Sequence, residues 1–293
     1  MPRPPFARIA VALATAAIAL ATADPAGAAT PTGVDVSYPQ CGTTLPAGKP
    51  FAVVGVNGGL ANNYNSCLAT QWQYALASSG GTQQARAQAF INTGDPGNSV
   101  ADWPSPSQLG AYGSTYVTGL GSCSYATRSK RGANSAACAY IYGYDMVAGM
   151  TYSGGKVIGD LATFRAATGG QLYGQPTWLD VETVNSWQTG TAGQAMNRAV
   201  LQGMVAAIRQ AAPAATPAAP IGVYSTTYQY TTITGIPSGA PAGSLAGLPE
   251  WGAGAPTQAD ANGNCSVKTF TRGQMVLTQW VGGDSDNDVS CIG

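Results

Sequence analysis

Pro176-Thr177-Trp178-Leu179-Asp180-Val181-Glu182 reads as a β-strand whose two faces differ in kind. Residues two apart in a strand share a face. Leu179 and Val181 therefore point one way, towards an apolar layer of helices. Trp178, Asp180 and Glu182 point the other way, with Trp178 deepest and the two carboxyl groups at the strand's carboxyl end. That design suits a parallel barrel, whose active sites gather at the carboxyl ends of its strands. Two carboxyl groups held so close repel. One pKa is expected to rise while the other group stays ionised, the division of labour that a general acid and its partner need. A pair of solvated carboxylates at a strand end would give the same DxE text.

On either side of this strand, short β-branched runs alternate with helix-like stretches. Strands are expected at 33–37 (GVDVS), 51–57 (FAVVGVN), 88–93 (QAFINT), 221–225 (IGVYS), 249–254 (PEWGAG) and 274–281 (QMVLTQWV). With 176–182 they make seven. Helices are expected at 64–79, 137–150, 157–168 and 191–211. In the last, Met196, Val200, Gly203, Ala207 and Ala211 recur at steps of three or four. Residues 101–136 are rich in Pro, Ser and Gly and read as a loop insertion pinned by Cys123 and Cys138. The expected fold is α/β, a modified TIM-like (β/α) barrel in a single domain over 29–293. A doubly wound open sheet is the alternative. It would usually bring a phosphate loop after an early strand, and residues 55–59 have neither GxGxxG nor Walker spacing.

Residues 1–28 have the form of a secretory signal peptide. Arg3 and Arg8 precede an apolar run at 9–21, and Ala26-Gly27-Ala28 supplies small residues for cleavage. The run is shorter than the roughly 20 residues a membrane span needs. A secreted, extracellular or cell-wall-associated protein is expected, with no membrane attachment after cleavage. Charged residues make up 9% of the chain, and removing Arg3, Arg8 and Asp24 with the leader leaves 11 basic and 12 acidic residues. No basic tract remains, which argues against nucleic acid as a partner. The expected state is a monomer, and a surface rich in Gly, Ala, Ser, Thr, Asn and Gln suits hydrogen bonding to neutral polar ligands.

The six cysteines are even in number and none forms a CxxC pair. In an exported chain they read as three disulfides. Cys41 follows the first strand and Cys67 lies beyond the second, so both sit at one end of neighbouring strands. Cys265 and Cys291 bracket the last strand in the same way, and Cys123 and Cys138 close one loop. The chain has no histidine. That removes Ser-His and Cys-His nucleophiles and leaves no clustered zinc ligands. No cofactor is expected, and acid–base chemistry falls to carboxyl groups, with Tyr, Lys or Cys as the alternatives.

Six of the twelve mature acids fall in three places: Asp35 within GVDVS, the Asp180–Glu182 pair, and Asp284, Asp286 and Asp288 after the last expected strand. All three places are expected at one end of the barrel. Asp35 lies between Val34 and Val36, where a charge is either paired or functional. The C-terminal triplet also mimics the first ligand positions of a calcium loop, but the glycine at the sixth position and the acid at the twelfth are missing.

The order of these motifs resembles glycoside hydrolase family 25, the muramidase-type lysozymes. The motifs are Gly33-Val34-Asp35-Val36-Ser37, Leu179-Asp180-Val181-Glu182, Gly222-Val223-Tyr224-Ser225, Pro249-Glu250-Trp251-Gly252, and Gln279-Trp280 with its trailing aspartates. The resemblance spans nearly all of the mature chain. It implies a (β/α) barrel that hydrolyses β-1,4 bonds of peptidoglycan or a related amino-sugar glycan. It also implies Glu182 as general acid, Asp180 as its assistant that orients a substrate N-acetyl group, and Asp35 and Asp286 or Asp288 lining the site. Tyr224, Trp251, Trp280, Asp288 and Asp95 are the expected substrate contacts, with Trp103 and Trp187 as further stacking candidates. The chain departs from the family pattern at Tyr38-Pro39-Gln40-Cys41, at Ile91-Asn92-Thr93-Gly94 and at Gln279-Trp280.

An inactive barrel that binds extracellular or cell-wall glycan is the competing expectation, and another extracellular role on the same fold is a third. An enzyme needs the Asp180–Glu182 pair open to a groove. A binder can have the pair blocked or salt-bridged, for instance to Arg86 or Lys156.

Overall fold

The computed structural model describes residues 30–61, 63–97, 110–124, 133–152, 155–157, 159–215, 218–237, 243–267, 270–282 and 285–293. The expected signal peptide, Trp103, Asp284 and much of the 101–136 loop lie outside the described residues. In chain order the elements are β1 (Thr32–Val36), β2 (Ala52–Gly55), α1 (Leu68–Leu76), β3 (Ala87–Asn92), β4 (Tyr116–Val117), β5 (Gly121–Ser122) and α2 (Ala136–Ala148). They continue with β6 (Met150–Tyr152), β7 (Gly155–Val157), α3 (Asp160–Thr168), β8 (Thr177–Asp180), α4 (Gly190–Ala211), β9 (Ile221–Ser225) and α5 (Thr227–Thr234). The chain closes with β10 (Glu250–Ala255), α6 (Gln258–Asn264), β11 (Met275–Gly282) and β12 (Ser285–Ser290).

Eight strands form a closed barrel in the order β1-β12-β11-β10-β9-β8-β3-β2. All neighbours run parallel except β12, which is antiparallel to both β1 and β11. The seven expected strands are all present. The eighth was expected as a trailing acidic segment, and it is the strand that closes the barrel. Ser-Asp-Asn-Asp-Val-Ser carries little intrinsic strand preference. Pairing on both sides and the burial of Val289 make it a strand nonetheless. Asp286 and Asp288 are spaced along one face of an extended strand and do not curl around a cation as a calcium loop would.

The core has two layers. Inside the barrel, Phe51, Val53, Trp178, Trp251 and Leu277 pack together with Phe90 and Tyr224 against them. Between barrel and helices lie Leu179, Val181, Val200, Met204 and their neighbours. The alternation read from 176–182 therefore holds, with Trp178 inward and Leu179 outward. Small residues make room for the large rings. A Cβ on Gly33 would lie 2.3 Å from the Phe51 ring, and one on Gly222 2.3 Å from Trp178. Below the rings, Trp178 Nε1 donates to Gln88 (2.9 Å), Gln88 donates to Gln84 (3.1 Å), and Gln84 donates to the Val276 carbonyl (3.1 Å). This amide chain closes the end of the barrel opposite the carboxyl groups.

Outside, α2 and α4 touch backbone to backbone. A Cβ on Gly203 would lie 2.1 Å from the Tyr140 carbonyl oxygen, and one on Gly143 2.0 Å from that of Val200. Alanine is the better helix former by about 1 kcal/mol. Gly203→Ala is nevertheless expected to lower the melting temperature, because backbone cannot yield as a side chain can, and overpacking costs about 1–3 kcal/mol. A thermal midpoint equal to or above that of the unchanged protein would contradict this packing.

The disulfides are Cys41–Cys67, Cys123–Cys138 and Cys265–Cys291, with sequence separations of 26, 15 and 26. All six cysteines are used. Loops of this length contribute about 2–4 kcal/mol each. No helix among the described residues is long and apolar enough to cross a membrane.

Candidate active site

A cleft of about 330 Å³ opens at the carboxyl-end mouth of the barrel. Asp35, Asp180, Glu182 and Asp286 all line it. Each arrives there for a stated reason. Asp180 ends β8, Glu182 follows two residues later, and Asp35 is the penultimate residue of β1. Asp286 reaches the same mouth because β12 runs the other way, so its first residues stand where parallel strands have their last. In register, Asp286 faces Asp35, and Asp288 faces Gly33 one step deeper. Asp288 is fully buried beneath the cleft and does not line it.

The floor is aromatic. Tyr224 and Trp251 have ring centroids 4.4 Å apart, and Trp178 lies 5.9 Å from Trp251. Tyr224 Oη donates to Gln279 Oε1 (2.8 Å), and Gln279 Nε2 donates to Asp35 Oδ2 (3.0 Å). This relay fixes the Asp35 carboxyl. The rim carries Tyr38, Leu60 and Val184, all exposed. Tyr38 begins a short 3-10 turn fastened by Ser37, whose N–H donates to Gln40 Oε1 (2.9 Å), and by the Cys41–Cys67 bridge just beyond.

The mouth concentrates negative charge with little to oppose it. Among the described residues, no Lys or Arg lines the cleft. Burial and the nearby Asp286 push Asp35 up to about 7, against the hydrogen bond from Gln279. Asp180 is pushed well above the usual carboxylate range by burial, then by Glu182 and Asp35. Its Oδ1 is buried without a hydrogen-bond partner. Glu182, half-buried, is also raised by burial and by Asp286, with the Gln229 amide pulling the other way. The pKa values of both members therefore rise. Their mutual hydrogen bond raises Asp180 and lowers Glu182. Asp180, the drier group, is raised the more.

Below the cleft, burial and the charge of Asp35 hold Asp288 well above its ordinary value. The Trp251 indole and the Lys49 ammonium act against that rise. The indole N–H is near enough to act on the carboxyl but lies outside hydrogen-bond geometry, and both Asp288 oxygens lack a partner. Lys49 Nζ itself donates to Asn287 Oδ1 (3.2 Å).

Of the expected substrate contacts, Tyr224 and Trp251 line the cleft and three others do not. Trp280 packs on the outside of the barrel beside Ala255, Ala261 and Val289, because it alternates with the inward Gln279. Asp95 is buried after β3, where it accepts from Gly97 N and Gln188 Nε2, both at 2.7 Å. It fastens one mouth loop to the next. Asp288 is the third. Trp187 donates its indole N–H to the Glu182 carbonyl at 2.8 Å, a strut behind the acid. Sequence reading missed Gln279, Asn92, Tyr38 and Asn185 in the lining. Strand alternation marks two of them: Gln279 shares a face with Leu277, and Asn92 shares one with Phe90.

Arg86 and Lys156 were the expected counter-ions of a blocked pair. No cation contributes to the shifts of Asp180 or Glu182. The Arg86 guanidinium lies beside Gly80, and the Lys156 side chain is outside the described residues. Comparison with protein-family models, with curated proteins and with solved structures finds no match for this chain.

Proposed function

We propose that the protein is a secreted glycoside hydrolase that cleaves β-1,4 bonds of peptidoglycan or a related amino-sugar glycan. The observation that carries this reading is the Asp180–Glu182 pair, two carboxyl groups that burial holds above their ordinary pKa, at the edge of an open cleft with an aromatic floor and, among the described residues, no lining cation. General acid catalysis needs a carboxyl group still protonated near neutral pH, and burial beside a second carboxyl supplies one. Glu182 is the more accessible of the two and delivers the proton to the leaving oxygen. Asp180 replenishes it and, once ionised, orients or stabilises the sugar. Asp35, held by the Gln279–Tyr224 relay, keeps its proton below about pH 7 and is placed to hydrogen-bond the sugar beside the acid. The resemblance in motif order to the family 25 muramidases supports the same substrate class. Incubation with purified peptidoglycan and mass analysis of released fragments tests the reading; intact glycan after prolonged incubation would overturn it.

A glycan-binding barrel without catalysis is the second reading. The burial of Asp180 favours it, since a protonated carboxyl that never transfers its proton is simply a hydrogen-bond donor to sugar.

The rate is expected to be highest in mildly acidic solution. The cluster loses protons as pH rises, Asp35 near about 7, and the general acid disappears with them. A rate that climbs steadily from about pH 5 to about pH 9 would contradict carboxyl-based acid catalysis.

A further inference from the structure

Glu182 sits on a segment that is held from both sides. It lies two residues beyond the end of β8, where strand pairing no longer fixes the backbone. Its carbonyl accepts from Trp187 Nε1 (2.8 Å) and from Asn185 N (3.1 Å). On the other side, the next peptide N–H, that of Thr183, donates to Gln229 Oε1 (2.6 Å), and the Thr183 hydroxyl donates to the same oxygen (3.0 Å). Gln229 comes to this place for a local reason. It is the third residue of α5, the helix that opens directly after β9. Thr226 caps that helix by accepting from Gln229 N at 3.1 Å. The next residue, Tyr230, is buried, with its ring centroid 5.1 Å from that of Phe270. The turn that carries Gln229 is thus anchored at its cap and at its base.

An amide has two ends. Thr183 takes the oxygen of Gln229, and the nitrogen end bears on the Glu182 carboxyl. Gln229 does not itself line the cleft, so it reaches a substrate only through the acid. The groups that face Glu182 give this contact its weight. Asp180 on β8, Asp35 on β1 and Asp286 on β12 are acidic, and Tyr224 on β9 feels the charge of Glu182. Burial, and after it Asp286, favours the protonated carboxyl; Gln229 is the stronger of the two groups that favour the ionised one, ahead of Asp180. A donor that points at a carboxylate stabilises its charged form. The same amide therefore aims the acid and restrains the rise of its pKa.

We propose that Gln229 is the positioning residue of the acid: it grips the peptide link after Glu182 with its oxygen and holds the Glu182 carboxyl at the cleft with its amide nitrogen. The proposal rests on the reading of Glu182 as the acid of a hydrolase, but its central contact can be measured without substrate. The chain has only two glutamates, Glu182 and Glu250, so carbon-13 labelling of glutamate gives two side-chain carboxyl resonances, and Glu182→Gln identifies one of them. Gln229→Leu removes both ends of the amide. Gln229→Glu keeps an oxygen for Thr183 and puts a carboxyl where the donor was. Circular dichroism verifies folding. In Gln229→Leu, Glu182 is expected to titrate at higher pH than in the unchanged protein, and the alkaline limb of fragment release from peptidoglycan should move the same way. The kcat should fall about tenfold to a hundredfold with KM little changed, because a misaimed acid weakens the chemical step and not binding. Gln229→Glu should move the titration of Glu182 further in the same direction, since a carboxyl repels where an amide donated. A folded Gln229→Leu protein whose Glu182 titrates as before would overturn the proposal, whatever happens to the rate. A fall in kcat with the alkaline limb unmoved would also overturn it, since a merely structural role does that. If Gln229→Leu does not fold, an unmoved Glu182 titration in Gln229→Glu overturns it instead. A shifted titration in a protein whose unchanged form releases no fragments would sustain the contact and refute the hydrolase reading.

Discussion

Glu182→Gln is expected to abolish glycan cleavage while leaving the fold intact. Gln keeps the size of the side chain and one hydrogen-bonding oxygen, but it has no proton to give to a leaving oxygen. General acid catalysis is worth about 10²–10⁴ in rate, and more with a poor leaving group. The stability change has the opposite sign to that of most buried substitutions. Glu182 is one of the groups that raise the pKa of Asp180 and Asp35. Its removal lessens repulsion at the mouth, so the melting temperature should hold or rise slightly. One partner is retained in kind, because Gln229 can still donate to the amide oxygen. Fragment release from peptidoglycan and the thermal midpoint, measured on both proteins, decide the matter. Normal release by a well-folded variant would remove Glu182 as the acid. A large fall in melting temperature would make the pair a structural element.

Much of this architecture is legible because strand alternation and burial are coupled. In Trp178-Leu179-Asp180-Val181-Glu182 the apolar and polar sets separate cleanly, and in the structure they go to the helix layer and the barrel interior. Two of the disulfides, Cys41–Cys67 and Cys265–Cys291, follow from strand order in the same way, since cysteines at one end of neighbouring strands come together, and Cys123–Cys138 closes a loop. What escaped reading was decided by partners far away in sequence. Ser285–Ser290 is polar throughout and becomes a strand only because β1 and β11 both have an open edge to offer. Its direction then moves Asp286 to the mouth and Asp288 below it, a distinction that no local pattern contains. Trp280 illustrates the converse. An aromatic at the end of the last parallel strand looks like a sugar platform, yet a one-residue step from Gln279 turns it outward. Helices α5 and α6 are short and rich in Thr, Asn and Gly, without an apolar stripe to announce them.

Asp145→Asn is expected to stabilise the protein at neutral and alkaline pH and to do nothing at about pH 4. Asp145 lies on α2, away from the cleft, and is fully buried. Its Oδ1 accepts from Tyr112 N (3.0 Å), while Oδ2 has no partner. Burial raises its pKa from 3.8 to about 8, against hydrogen bonds from the backbone of Tyr112 and Ala111. The folded chain therefore holds this proton more tightly than the unfolded chain does. In the window between the two pKa values the unfolded state ionises and the folded state does not, so each unit of rising pH favours unfolding by about 1.4 kcal/mol. The group's contribution is fully present below about pH 4 and is lost as pH rises to about 8. At pH 7 the accumulated cost approaches about 4 kcal/mol as an upper limit. Asn removes it, because neither state then has a proton to lose, and its amide oxygen can still accept from Tyr112. Asp35, raised to about 7, adds to the same trend, so the unchanged protein should melt at a higher temperature at pH 5 than at pH 8. Melting curves of both proteins across that range test the assignment. The two curves should converge at the acid end and separate above about pH 6. Parallel curves at every pH would mean that Asp145 is as ionised in the folded protein as in the unfolded chain.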